Sequence, residues 1–107
     1  MARFDIYFNP IAADRGDFPY VLEIQSDLLY RFTERVCVPL ARAGTFPPGM
    51  TERFNPTVTL AGEPEPCRLH PLGIAVFMTH ELRQPVDSAR AHALEIDRAM
   101  DMLLRGY

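Results

Sequence analysis

Three side chains in the second half of the chain could together be taken for a metal site: Cys67, His70 and His80. A structural zinc site needs four tetrahedral ligands, which usually come as two closely spaced pairs. These three residues supply too few ligands and lack the paired spacing. The sequence therefore predicts no metal site, and we interpret His92 as part of a solvated helix face.

The two thiols, Cys37 and Cys67, could each act as a nucleophile beside a histidine. Both lie in segments that we predict to be strands, where a buried cysteine is inert by default. The chain has no glycine-rich phosphate loop and no nucleophile elbow. We therefore expect a protein that is not an enzyme and uses no cofactor. The charged start, with Asp5, does not read as a secretory signal, which predicts a cytoplasmic protein with reduced thiols.

Length and composition predict a single globular domain over residues 1–107, with 48% hydrophobic and 23% charged residues. The net charge of −3 argues against binding that is dominated by nucleic-acid phosphates, although it leaves room for a local basic patch. No apolar run approaches the roughly 20 residues that span a bilayer. We therefore expect neither direct contact with nucleic acid nor a membrane segment.

Residues 87–107 are predicted to form the one long helix. Its apolar residues recur at spacings of four and three and so share one face: Ala89, Ala93, Ile96, Met100 and Leu103, widened by Ala99 and Leu104. Asp87 or Ser88 is the predicted N-cap, and Gly106 the C-terminal stop. Asp101 and Arg105 have the spacing of an ion pair on the helix surface.

Before this helix, six short strands are predicted, over residues 3–8, 20–25, 35–40, 57–61, 67–71 and 73–78. In the first strand Phe4, Ile6 and Phe8 are expected to face the core. Pro39 places the end of the third strand at an edge or a bulge. Residues 45–50 and 62–66 are predicted turns, and 79–84 a linker or a frayed strand end. Short antiparallel strands followed by one helix predict a small curled sheet or barrel that the helix caps.

Five short motifs follow one another along the chain, at residues 4–7, 21–27, 35–41, 55–60 and 96–104. The most specific are Gln25-Ser26-Asp27 and Val38-Pro39-Leu40-Ala41. In their order and spacing, and over most of the chain, these motifs resemble the CcdB family of toxins from toxin–antitoxin modules. The resemblance implies a mainly β (α+β) fold, an SH3-like small barrel of five to six antiparallel strands with a C-terminal α-helix.

The resemblance also implies a function that is carried out by binding. A CcdB-like toxin is a homodimer that binds the A subunit of DNA gyrase and traps the enzyme on cleaved DNA. It is neutralised by a cognate CcdA-like antitoxin, whose disordered tail folds on the toxin. The loop at residues 9–17 is longer than is usual in the family and lies in a region that helps to meet the antitoxin, so we expect a partner specific to this chain.

In the family, gyrase is contacted by a C-terminal Trp-Gly-Ile. Here Arg105, Gly106 and Tyr107 stand at those positions, so the resemblance implies that they are the gyrase-binding residues. The indole of the family meets an arginine of gyrase, whereas the guanidinium of Arg105 repels another cation unless it stacks or meets a carboxylate.

Two alternatives stay open. One is a homologue that has lost gyrase poisoning and only binds antitoxin. The other is a barrel-fold endoribonuclease toxin, which needs a base and a cation in one groove. Its candidate residues are Arg35, Arg42, Arg53, His70 and His80.

Overall fold

Seven β-strands and two α-helices make up the part of the chain that our computed structural model describes, residues 2–44 and 48–106. In chain order they are β1 Asp5–Phe8, β2 Tyr20–Glu23, β3 Glu34–Ala41, β4 Thr57–Val58, β5 Cys67–Leu69, β6 Ala75–Met78, α1 Thr79–Leu82, β7 Asp87–Ser88 and α2 Ala93–Arg105. The predicted turn at 45–50 falls partly on residues 45–47, which lie outside the described residues. β4 is shorter than the predicted strand at 57–61.

The strands form one antiparallel sheet in the order β4-β5-β3-β2-β1-β7, with β6 paired to β3 outside this path. β1 and β2 make a hairpin in which Ile6 lies opposite Leu22. The central strand β3 pairs with β2 along one edge, and with both β6 and β5 along the other. This arrangement curls the sheet into a half-barrel, and α2 packs against it. The predicted fold, a small curled β structure with a C-terminal helix, is confirmed.

Pro39 lies inside β3, so the prediction that it marks an edge or a bulge is wrong. Along its second edge, β3 pairs with β6 at residues 34–37 and with β5 at residues 40–41. Pro39 falls between these two ladders, and its carbonyl accepts a hydrogen bond from the backbone N–H of His70 at 2.9 Å. Since the N and C=O of one residue point to the same edge of a strand, the missing N–H of Pro39 faces this gap. Gly73 fills the gap closely, because a Cβ there would lie 2.6 Å from Pro39 Cγ.

The buried face of α2 is largely the predicted one. Ile96, Ala99 and Met100 are buried in the main core with Ile6 and Leu22 of the hairpin, while Ala93 and Leu103 are partly buried against it. Leu104 is 71% exposed, so its predicted place on this face is wrong. It lies in the last turn of the helix.

The start of α2 also differs from the prediction, because Asp87 and Ser88 form β7. They pair with Asp5 and Ile6 of β1. The Ser88 hydroxyl still accepts the backbone N–H of Arg90 at 3.2 Å, but Arg90 belongs to the turn before the helix. The Asp87 carboxylate accepts the backbone N–H of Ala61 at 2.9 Å, so it caps a neighbouring loop. A 3-10 turn over Arg90–His92 then leads into α2 at Ala93.

The second face of the sheet carries its own small core, which the predicted alternation of β1 does not anticipate. Tyr7 is fully buried there with Val21, Cys37 and Phe77, whereas Phe8 is 59% exposed. The predicted linker at 79–84 is in part a single helical turn, α1, that buries Leu82 over this core.

Replacing Ile96 by alanine is expected to cost about 2–5 kcal/mol of unfolding free energy, because its fully buried side chain leaves a cavity between α2 and the sheet. Leu104→Ala, on the same helix but exposed, is the matched control and is expected to stay within about 0.5 kcal/mol of the wild type. Urea denaturation of both variants measures the difference. Similar losses in the two would contradict the position of α2.

Candidate functional site

The end of α2 is exposed and leads into the residues that the sequence predicts to bind a partner. Gly106 ends the helix in the left-handed conformation, with φ at 84°, and its N–H donates to the carbonyl of Met102 at 3.2 Å. Glycine adopts this conformation without steric cost, so the predicted C-terminal stop is confirmed. The side chain of Arg105 is 63% exposed, and Gly106 is exposed. Tyr107, the third predicted contact residue, lies outside the described residues.

The Arg105 guanidinium has a carboxylate within its own helix. Its Nε lies 3.9 Å from Oδ1 of Asp101, one turn earlier, at the predicted spacing of four residues. This exposed pair contributes little stability. It does place negative charge beside Arg105, which reduces the repulsion between this residue and a cation on a partner.

A groove of about 360 Å³ adjoins the helix terminus. Its apolar lining consists of Ile24, Met100 and Leu104, and its charged lining of Arg3, Asp97, Asp101 and Arg105. Arg3 donates to Asp97 at 2.6 Å and to the carbonyl of Ile24 at 3.0 Å, so it ties α2 to the sheet beside the groove. The terminus is therefore presented from a fixed helix.

A buried ion pair on the other face of the sheet positions an exposed apolar loop. Arg35 Nε lies 3.8 Å from Glu23 Oε2, and both side chains are less than a tenth exposed. The other guanidinium nitrogens of Arg35 donate to the carbonyls of Leu29 and Tyr30. Burial raises the pKa of the Glu23 carboxyl, and the Arg35 charge opposes that rise. The pair thus holds the turn in which Leu28 is 88% exposed.

The two cysteines are placed as inert thiols. Both are free and buried. Burial raises the pKa of Cys37 to about 12 and that of Cys67 to about 11, so neither forms the reactive thiolate at neutral pH.

The histidines have separate surroundings, and His70 and His80 line different cavities. His70 stacks on Phe18 with ring centroids 5.2 Å apart, and burial lowers its pKa, which favours the neutral ring. His92 accepts the N–H of Thr59 at 3.2 Å through Nε2, and is therefore not simply part of a solvated face. Within residues 2–44 and 48–106, no three potential ligands converge on a metal position.

The five residues nominated for an endoribonuclease do not form one groove. Arg35 is buried with Glu23, and Arg42 lies 3.3 Å from the Glu63 carboxylate at the other end of β3. Arg42, His70 and His80 line three different cavities. His80 is exposed within α1, His70 stacks on Phe18, and Arg53 is exposed.

A second cavity, which the sequence did not predict, lies beside α1. It is lined by Phe8, Pro10, Arg15, His80, Glu81, Leu82, Arg83 and Gln84. These residues come from the end of β1, the following loop and α1 with the two residues after it. No local motif links three segments so far apart, and the exposure of Phe8 only becomes visible in the folded chain.

A curled antiparallel sheet capped by one C-terminal helix, with that helix ending in an exposed turn, places the protein among small barrels of the α+β class. The chain belongs to the CcdB family, because the family's sequence model, described as CcdB protein, matches residues 3–106. In the described residues, no helix is both long and apolar enough to cross a membrane.

Two solved structures share this fold at 15% sequence identity. One is described as an endoribonuclease in complex with its cognate antitoxin, from mycobacterial species; its TM-score is 0.74, over 97% of this chain and 94% of that chain. The other is an endoribonuclease, also from mycobacterial species, with a TM-score of 0.70 over 97% of this chain and 90% of that chain. At this identity the likeness concerns the fold alone. No curated protein matched the sequence.

Proposed function

We propose that this protein is the toxin of a toxin–antitoxin module and acts by binding the A subunit of DNA gyrase through Arg105, Gly106 and Tyr107. The observation that carries the proposal is the exposed last turn of α2, which lies beside a groove with both apolar and charged lining residues. Membership of the CcdB family supports the target. An arginine in place of tryptophan would repel a cation of gyrase, and the Asp101 carboxylate beside Arg105 reduces this repulsion.

The proposal includes a cognate CcdA-like antitoxin as inhibitor. A structure with the same fold is described in complex with its cognate antitoxin, which supports a partner of this kind. Leu28, Tyr30 and Phe32 are exposed on the loop that Arg35 holds, so the chain offers apolar surface to a folding tail.

A homodimer in the cytoplasm completes the proposal. Apolar side chains are exposed on and beside β6, at Leu72, Ile74 and Val76. Among the described strands β6 pairs with β3 alone, so its second edge can accept another strand. A second copy of the chain would cover both features.

Supercoiling by purified gyrase, with this protein added in increasing amounts, tests the target directly. We expect loss of supercoiling and accumulation of cleaved DNA, while RNA that is incubated with the protein in parallel stays intact. Cleaved RNA together with unaffected supercoiling would replace the proposal by the endoribonuclease alternative. Inhibition that appears only with Arg105→Trp would identify a homologue that has lost gyrase poisoning.

A further inference from the structure

The cavity beside α1 has the size of a small-molecule site. Its volume is about 650 Å³, within the ~300–1,000 Å³ that is typical of ligand pockets. It lies apart from the helix terminus to which gyrase binding is assigned, and the two share no lining residue.

The lining carries positive charge although the whole chain is acidic. Arg15, His80 and Arg83 contribute basic groups, and Glu81 is the single acidic residue. One oxygen of that carboxylate is engaged, because it accepts the N–H of Met78 at 2.7 Å. Arg15 is held by one hydrogen bond, from its Nε to the carbonyl of Asn9 at 2.6 Å, which leaves its terminal nitrogens available. The overall net charge of −3 therefore does not describe this surface.

Arg83 adopts a backbone conformation that favours glycine. Its φ is 61° and its ψ −130°, the geometry of the first central residue of a type II′ turn. In the described residues one other non-glycine residue has positive φ, Phe4, and its ring is buried in the main core. Arg83 has no such compensation, because its side chain is exposed and makes no hydrogen bond or ion pair with any described residue. Strain of this kind, kept without a packing gain, is characteristic of ligand sites.

Phe8 supplies a fixed aromatic surface at the same cavity. It is 59% exposed although the alternation of β1 predicts burial. Its ring stacks on Tyr20, with centroids 5.6 Å apart and an angle of 25°. The Tyr20 hydroxyl in turn donates to Glu63 at 2.7 Å, which holds the pair in place.

We propose that this cavity binds a nucleotide unit, with the guanidinium groups of Arg15 and Arg83 on the phosphate and the Phe8 ring stacked on the base. Cations beside an exposed aromatic ring are the combination that binds nucleotides without base specificity. A free nucleotide and one residue of a single strand offer the same chemistry. The proposal departs from the expectation of no contact with nucleic acid, which rested on net charge, and it does not depend on gyrase binding.

Arg83→Gly separates a binding role from a structural one. Glycine relieves the strain at φ 61°, so this variant is expected to melt about 4 °C or more above the wild type. It also removes a cation, so its affinity should fall about tenfold. Affinity is measured by fluorescence anisotropy with labelled single-stranded RNA and DNA of about six nucleotides, and by calorimetry with adenosine monophosphate. Phe8→Ala is expected to weaken binding by a similar factor, through lost stacking.

The controls decide between a nucleotide site and unspecific charge. Arg98→Ala removes an arginine from the exposed face of α2 and should leave affinity within about twofold, since it lies outside the cavity. A strand that binds more tightly than the free nucleotide assigns the site to single strands, and equal affinity assigns it to free nucleotides. The proposal is overturned if the wild type binds neither ligand at low salt, if Arg83→Gly and Phe8→Ala bind normally, or if polyglutamate or duplex DNA binds as tightly.

Discussion

Deleting residues 105–107 is expected to abolish growth arrest when the protein is produced in a bacterial host, while the fold stays intact. The deletion removes the proposed gyrase contact. Arg105 and Gly106 are exposed and contribute no core packing, so the free energy of unfolding should change by no more than about 1 kcal/mol, the worth of a helix C-cap and one surface pair. Growth after induction and urea denaturation of the purified protein measure the two effects.

The matched control for this deletion is Leu94→Ala, at the opposite end of the same helix. Leu94 is as exposed as a tail residue but lies far from the groove beside the terminus. The variant should arrest growth like the wild type. Full toxicity in the truncated protein would refute the role of the tail, and equal loss of toxicity in both variants would show that α2 acts in some other way.

Replacing Arg35 by methionine is expected to cost about 3–5 kcal/mol at pH 7, because Glu23 is then left buried without its cation. The loss should be smaller in mild acid. Burial already raises the pKa of Glu23, and removing Arg35 removes a charge that lowers it. A carboxyl with a raised folded pKa favours the folded state below its unfolded pKa and loses that advantage as pH rises through the folded value. Urea denaturation at pH 7 and in mild acid measures both effects.

Two further variants test whether the loss of stability comes from the Glu23 carboxylate that is left without its cation. Arg98→Met makes the same replacement on the exposed face of α2 and should stay within about 0.5 kcal/mol of the wild type. Glu23→Leu combined with Arg35→Met removes both charges and should recover most of the loss. If the Arg35→Met protein were as stable as the wild type at pH 7, that result would contradict the buried ion pair of Arg35 and Glu23.

Local sequence patterns predict those parts of this fold that depend on neighbouring residues. The presence of β1 and β2 near the predicted positions follows from the strand pattern, and the buried stripe of α2 from spacings of three and four. Gly106 ends α2 for a reason that is visible in its own chemistry, and Asp101 reaches Arg105 because both lie on one helix.

The predictions that failed involve segments that are distant in sequence. Asp87 is predicted to cap a helix, but it pairs with β1. Pro39 is predicted to end a strand, but it lies within β3 because β5 and β6 leave a gap opposite its missing N–H. Tyr7 is buried because α1 covers the second face of the sheet. The cavity at Phe8, Arg15 and Arg83 has the same origin, since only the folded chain brings those residues together.

Calorimetric titration of the purified A subunit of gyrase with this protein, either with all 107 residues or truncated after residue 104, shows whether the end of α2 is the binding surface. A folded barrel that works through its helix terminus predicts saturable binding by the 107-residue protein and none by the truncated one. Equal binding by the two proteins, or none by the 107-residue protein, would contradict this role of α2.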